Sequence, residues 1–409
     1  MFGLSVSATS VLLGALMFLI FVWFVRRPRN LPPGPWSWPV IGYRFRSGPL
    51  HEAYMDMAKK YGPIFSLRRG PFLVVVLNDI ATIKQAFVKS SEFFQNRFVP
   101  GHIRWGVRDT NKNASIVWSS GKPWKDHRKF SLHALRSFGF GKKSLVPQIN
   151  LEARYLADEI KNLRGAPSDL SPTLNKATAN VVAQLVFGRR YEYDDLQYIE
   201  VLQAMVAIFA GISITDPVVV FESLIHTPWY KHYRDATFKA RDFIMCQLYM
   251  HRDTFQKDNI RDYVDAFLAD DISKEYTLEE FWRIVLDLFA AGTETTTLVT
   301  SWAILYLAVH PDVQNKVQNE LDRVVGRGRQ PTTTDRPDLP YCDATLMEVM
   351  RPRECLGIQL ARMESFLLFT NLFQQFEFKL PSDQPTASLR GQPGLSMHPH
   401  PYHVCAIER

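Results

Sequence analysis

The sequence predicts a mainly α domain with a small β region, set behind a single N-terminal membrane anchor. Three observations predict it. One uncharged apolar run opens the chain, apolar residues recur at helical spacing through most of the remaining residues, and short β-type runs are confined to its two ends. At 409 residues, 46% hydrophobic and 22% charged, the composition excludes intrinsic disorder, collagen and low-complexity architectures. Lys and Arg exceed Asp and Glu by 48 to 41, and this mild +7 suits anionic lipid or an acidic partner. No run of basic residues interleaved with aromatics points to nucleic acid. Four cysteines, at 246, 342, 355 and 405, are too few for a disulfide scaffold.

From Leu4 to Val25 there is no charge, and from Val11 to Val25 every residue is apolar or Gly. These twenty-two positions span about 33 Å as a helix, enough for a hydrocarbon core of about 30 Å. A cleaved signal peptide would carry its basic residues before the run. Here Arg26, Arg27 and Arg29 come after it, which holds the rest of the chain in the cytosol. No second comparable stretch exists, so residues 1–25 read as the anchor. Residues 26–35, ending in Pro32-Pro33-Gly34-Pro35, read as a basic, stiff spacer, and residues 36–409 as one catalytic domain. The sequon Asn113-Ala114-Ser115 then faces the cytosol and stays unmodified.

Within the body, Phe72–Leu77 reads as a strand. A long helix starts at Thr277, where Glu280 completes a capping box, and runs without proline for about 33 residues to Pro311. Pro311 opens a second helix that Gly326 stops. Two more cover Tyr341–Met350 and Leu356–Phe376. The Pro-rich tail from Phe378 reads as turns and short strands.

Four constellations carry possible chemistry, and each also has a plain reading when taken alone. Ala291-Gly292-Thr293-Glu294-Thr295 places hydroxyls that bond back to helix carbonyls beside a Gly at which the backbone can bulge; it equally describes a slightly polar stripe on a core helix. Glu348 and Arg351 stand at i,i+3, as ordinary surface ion pairs do. Trp124 and Arg128 share one helical face in Trp124-Lys125-Asp126-His127-Arg128 and could grip an anion, or belong to a solvated basic helix. Cys355, two residues after Arg353 at a helix start, has surroundings that favour thiolate, or is a small buried thiol.

Taken in order, these residues resemble the cytochrome P-450 family, the membrane-anchored haem-thiolate monooxygenases of animal microsomes. The resemblance runs through Pro32–Pro35, the stretch from Trp124 to Leu145, Ala291–Thr295, His310-Pro311-Asp312-Val313-Gln314, Glu348–Arg351, Cys355-Leu356-Gly357 and Ala361-Arg362-Met363-Glu364. It is similar above all to the vertebrate group that oxidises fatty acids and xenobiotics. The resemblance implies an endoplasmic-reticulum membrane protein that inserts one oxygen atom of O₂ into an apolar small molecule, with NADPH electrons delivered by a reductase. It implies haem held by the Cys355 thiolate, with Gly357 close by, and its propionates held by Trp124, Arg128 and Arg353. Thr295 and Glu294 would stabilise dioxygen and relay protons, Ala291 would leave room over the haem face, and Glu348–Arg351 would form a buried structural ion pair.

One departure is large. Family members carry several tens of residues between the Glu-x-x-Arg helix and the cysteine loop, whereas here Arg351 and Cys355 are four apart. Of the loop pattern Phe-x-x-Gly-x-Arg-x-Cys-x-Gly only Arg353, Cys355 and Gly357 remain. Pro352 disfavours helix at Arg351, so that helix must end at the residue meant to pair with Glu348. A segment is therefore missing at 351/352, as exon skipping or a faulty gene model would leave it. The alternative to an active monooxygenase is a truncated, inactive isoform that binds little or no haem. His398, His400, His403 and Cys405 cluster as metal ligands might, but the interleaved Pro399 and Pro401 suit a structural hairpin.

Overall fold

The computed structural model describes every residue except 1–7, 26–29, 39–40, 46–49, 71, 107–114, 211–215, 220, 351–356, 385 and 393–395. The described residues are mainly helical, with three two-stranded antiparallel sheets. They divide into two compact units, Met1–Asn96 with Ile214–Val220 and Arg97–Ser213 with Phe221–Arg409.

In the first unit, α1 (Ala8–Val25) is an uncharged helix of 18 residues, about 27 Å long. Its Leu12, Met17 and Phe18 are exposed. No helix among the described residues is long and apolar enough to cross a membrane. The expected 22-residue run begins at Leu4, and residues 4–7 lie outside the described residues, as do Arg26, Arg27 and Arg29. Helix α2 (Leu50–Tyr61) packs on the hairpin of β1 (Ile64–Arg69) and β2 (Phe72–Leu77), in the register Phe65↔Val76 and Leu67↔Val74. Phe65 and Leu67 are buried against Met57, with Tyr54 and Tyr61 around them. Pro32 and Pro33, read as part of a stiff spacer, bond Ser66 through their carbonyls. The Ser66 N–H donates to the Pro33 carbonyl (2.8 Å) and its hydroxyl to the Pro32 carbonyl (2.7 Å). Proline has no N–H to offer, so this segment joins the edge of β1 through its acceptors. A short helix, α3 (Ile80–Lys84), comes after β2, capped by the Asp79 carboxylate.

The second unit holds α4 (Gly101–Gly106), α5 (Gly121–Ser137), α6 (Val146–Asn162), α7 (Ser171–Phe187) and α8 (Leu196–Ala210). It continues with α9 (Lys231–Thr254), α10 (Tyr263–Ala269), α11 (Ile272–Glu275), α12 (Leu278–Val309), α13 (Pro311–Val324), α14 (Pro340–Val349) and α15 (Ile358–Gln375). After α15 the chain forms β3 (Phe376–Lys379), paired with β6 (Cys405–Glu408), and β4 (Gly391–Gln392), paired with β5 (His398–Pro399).

Helix α12 is the long helix expected. Thr277 and Glu280 form the reciprocal capping box, and the helix runs 32 residues, about 48 Å, to His310. Its first half buries Phe281, Ile284, Val285 and Phe289 against α5, α7, α9 and α10. Its second half buries Ile304, Leu305 and Leu307 against α6, α13, α14 and α15. Helix α15 buries Phe366, Leu368, Phe369, Leu372 and Phe373 in the centre of that core, together with the polar Glu364, Ser365, Thr370 and Asn371. The Gln314 that ends the His310–Gln314 motif is structural. Its amide donates to Phe378 O (2.9 Å) and accepts from Phe378 N (2.8 Å), which pins β3 to α13. Cys342 is a core residue whose thiol burial pushes well up, and Cys246 is exposed.

One buried acid in α15 stands apart. Among the described residues neither carboxyl oxygen of Glu364 has a hydrogen-bond partner, and burial, helped by nearby Glu152, raises its pKa well above the usual range. The folded chain therefore keeps a proton that the unfolded chain releases above about pH 4.5, so Glu364 costs more stability as pH rises from there. Glu364→Gln is expected to remove that dependence. In denaturant titrations its advantage over the parent should grow between about pH 5 and pH 8; an advantage independent of pH would contradict the assignment.

Candidate functional site

The Ala291–Thr295 turn lies in the middle of α12. The Thr293 hydroxyl donates to Phe289 O (2.6 Å) and that of Thr295 to Ala291 O (2.7 Å), the back-bonding expected of helical threonines. The expected bulge at Gly292 is absent, for α12 is uninterrupted through it. Gly292 serves close packing instead: a Cβ there would lie 2.6 Å from Val182 Cγ2 of α7. The Thr178 hydroxyl of α7 also reaches Thr293 O (3.2 Å) and Thr297 Oγ1 (2.7 Å) across the same contact. Gly292→Ala is expected to lose about 1–3 kcal/mol by overpacking despite its better helix propensity. Pairing it with Val182→Ala should recover most of that loss in thermal melts; a double variant no more stable than Gly292→Ala would contradict this packing.

Glycine thus lets α12 lie against α7 on one side, while Ala291 and Thr295, one turn apart, are exposed on the other. Thr293, Glu294, Thr296 and Thr297 between and beside them are buried. Glu294 faces the C-terminal hairpin, where its Oε1 lies 3.3 Å from His398 Nε2. Burial raises the Glu294 pKa, and His398 opposes the rise. Trp302 Nε1 donates to Met397 O (2.9 Å) and the Tyr402 hydroxyl to Ser301 O (2.7 Å), so the hairpin is stapled along α12. His400 bonds Gln392 instead (3.0 Å), so His398 and His400 have separate partners.

On α5 the Trp124–Arg128 motif splits by face. His127 points inward; it is fully buried against Tyr276, ring centroids 4.2 Å apart, and burial lowers its pKa to about 4. Trp124 and Arg128 are half-buried neighbours, the guanidinium 5.6 Å from the indole centroid. Among the described residues Arg128 makes no ion pair, so a half-buried cation stands ready for an anion. No hydrogen bond among the described residues joins it to the Ala291–Thr295 turn. Lys125 and Lys129 point outward, whereas Lys122 is held by Asp126 (2.7 Å) and Glu275 (2.6 Å).

Asp287, one turn before Ala291, is a residue that sequence reasoning missed. Its carboxylate accepts from the Ser115 hydroxyl (2.5 Å), Ile116 N (2.8 Å) and Val117 N (3.1 Å), and Arg283 lies 3.9 Å away. The signal was an acid inside an apolar helix, but its partners are 170 to 172 positions distant. It anchors the segment just before α5.

The proximal residues are described only in part. Arg351, Arg353 and Cys355 lie outside the described residues. Helix α14 ends at Val349, and Met350 turns extended (φ −91°, ψ 96°), one residue before the break that Pro352 implied. Glu348, in the last turn of α14, is exposed, and its expected partner Arg351 lies outside the described residues. Gly357 forms the N-cap of α15. The next turn of α15 rests on the loop after α5, where a Cβ on Gly141 would lie 2.8 Å from Gln359 Cβ. The helix that succeeds Cys355 thus starts beside the loop that succeeds Arg128's helix.

A family model described as Cytochrome P450 matches residues 28–351 and 352–406, two segments that meet at the junction inferred from the sequence. The chain is 32% identical to cytochrome P450 2J3 of Rattus norvegicus over 493 aligned positions, covering 98% of this chain and 96% of that protein. It is 30% identical to cytochrome P450 2J2 of Homo sapiens over 97% of this chain and 96% of that protein. To cytochrome P450 2H2 of Gallus gallus it is 34% identical over 84% and 72%. In the first alignment at least 84 positions (493 less 409) have no residue from this chain, so it is shorter than its relatives.

Proposed function

The chain belongs to the cytochrome P450 family, and from that premise we propose that it is a haem-dependent monooxygenase acting on an apolar small molecule, a fatty acid or xenobiotic. Haem with a cysteine thiolate is the family's cofactor, and an oxidoreductase its enzyme class. The observation that carries the reading is the open Ala291/Thr295 face of an otherwise buried α12, beside the buried acid Glu294. The half-buried Arg128 on Trp124, without an ion pair among the described residues, fits a propionate. Cys355 is assigned as axial ligand, Gly357 as its close neighbour, and Trp124, Arg128 and Arg353 as propionate contacts.

When bound, the haem supplies O₂ activation, one oxygen atom entering the substrate and the other leaving as water with two NADPH-derived electrons. The chain's residues do the rest. Ala291 keeps the face of α12 low, Thr295 presents a hydroxyl there, and Glu294 holds a proton one residue away. Residues 1–25 are assigned as a single anchor in the endoplasmic-reticulum membrane, residues 26–35 as the linker, and residues 36–409 as the cytosolic domain. Incubation of the full chain with haem, a reductase, NADPH and a fatty acid tests this: an oxygenated product is expected, and a haem-loaded chain that forms none would overturn it.

The break at 351/352 and the exposed Glu348 favour a second reading, a membrane-bound isoform that binds little or no haem and competes for partners. Both readings share a docking face. Lys125, Lys129, Lys142 and Lys143 are exposed on and just after α5, and Lys122 is already neutralised by Asp126 and Glu275. If an acidic reductase docks there, binding should weaken several-fold between about 50 and 300 mM salt, because exposed charges are screened over about 8–10 Å. Salt-independent binding would contradict the assignment.

A further inference from the structure

His398 occupies an unusual place for a C-terminal hairpin residue. It sits on β5, opposite Gln392 of β4, and its Nε2 lies 3.3 Å from Glu294 Oε1. Its side chain is 32% exposed and that of Glu294 only 11%, so the imidazole bridges water and the buried acid. The Met397 carbonyl and Tyr402 hydroxyl, bonded to Trp302 and Ser301, hold the imidazole in register with α12 from either side. Other charged groups around α12 have their own business. Lys176 of α7 lies over the Tyr193 ring, Glu364 of α15 acts with Glu152, Asp287 holds the Ser115–Val117 backbone, and His400 bonds Gln392. Among the described residues, burial and His398 alone act on Glu294.

We propose that His398 is the positioning residue and solvent-side proton donor of Glu294, so that protons reach the open turn of α12 through the C-terminal hairpin. The inference rests on the reading of Glu294 as the proton carrier of a monooxygenase, but the pair itself needs no haem. In the step, the imidazole takes a proton from hydronium at Nδ1 and leaves water. The imidazolium gives the Nε2 proton to the Glu294 carboxylate and becomes neutral, and exchange with water restores its first tautomer. Glu294 carries the proton as a carboxylic acid until the groove takes it, and is a carboxylate again.

Infrared spectroscopy of the carboxyl stretch in the full chain, without haem, tests this directly. Glu294→Gln identifies the Glu294 band, separating it from that of Glu364. His398→Gln keeps a hydrogen-bond donor at the same place but cannot relay a proton. It should raise the Glu294 titration midpoint by about one pH unit and slow deuterium exchange of its carboxyl about tenfold or more. His398→Phe should do the same. An unchanged midpoint, or wild-type exchange in either variant, would overturn the proposal whether or not the chain proves to bind haem. Conversely, a chain that shows both effects yet takes up no haem would leave the pair standing and remove the monooxygenase reading.

Discussion

Asp287→Ala is expected to destabilise the chain by about 3–5 kcal/mol, among the largest losses from any single polar substitution. The carboxylate is buried and accepts three hydrogen bonds, two of them from the backbone N–H groups of Ile116 and Val117. Removing it leaves those donors unsatisfied, each at about 1–3 kcal/mol, and strands the buried Arg283 without its nearest anion. Burial raises the Asp287 pKa, and Arg283 and these donors offset only part of the rise. Chemical denaturation checks the value. Asp287→Asn should fall between parent and Ala, since one acceptor survives and the charge does not. A loss under about 1 kcal/mol for Ala would show that the Ser115–Val117 segment is held by something else.

Cys355→Ser is expected to abolish thiolate ligation outright, whereas Cys342→Ser is expected to leave it intact. A serine hydroxyl does not ionise near neutral pH and cannot replace a thiolate on iron. Cys342 is buried, its thiol directed at Val317 O (3.6 Å), and burial drives its pKa up, against thiolate formation. Cys246 is exposed on α9, and Cys405 lies in β6, paired with Lys379 of β3. Absorbance of haem-reconstituted variants separates the cases. A thiolate-type spectrum that survives Cys355→Ser would overturn the ligand assignment.

What could be read from the sequence was local. The capping box at Thr277, the uninterrupted run to Pro311 and the Leu- and Phe-rich stretch Leu356–Phe376 each encode a helix within a few residues, and α12, α13 and α15 form accordingly. The Thr back-bonds of the Ala291–Thr295 turn were legible for the same reason. Contacts that depend on distant chain were not. The role of Gly292 is set by Val182 of α7, that of Asp287 by Ser115, and that of Glu294 by His398. A proline segment reads as a spacer because its missing N–H groups rule out helix, yet its carbonyls still bond Ser66. The buried Glu348–Arg351 pair was implied by the family resemblance and not by spacing, which alone reads as an ordinary surface pair; Glu348 is exposed, and α14 ends one residue later.

The proposed activity requires that this chain, despite the residues missing at 351/352, hold haem through a cysteine thiolate. Reduce the purified full chain after haem reconstitution, add CO, and record the Soret band. The expected result is the red-shifted band of a thiolate-ligated ferrous haem, lost in Cys355→Ser. A well-folded chain that shows no such band would contradict it.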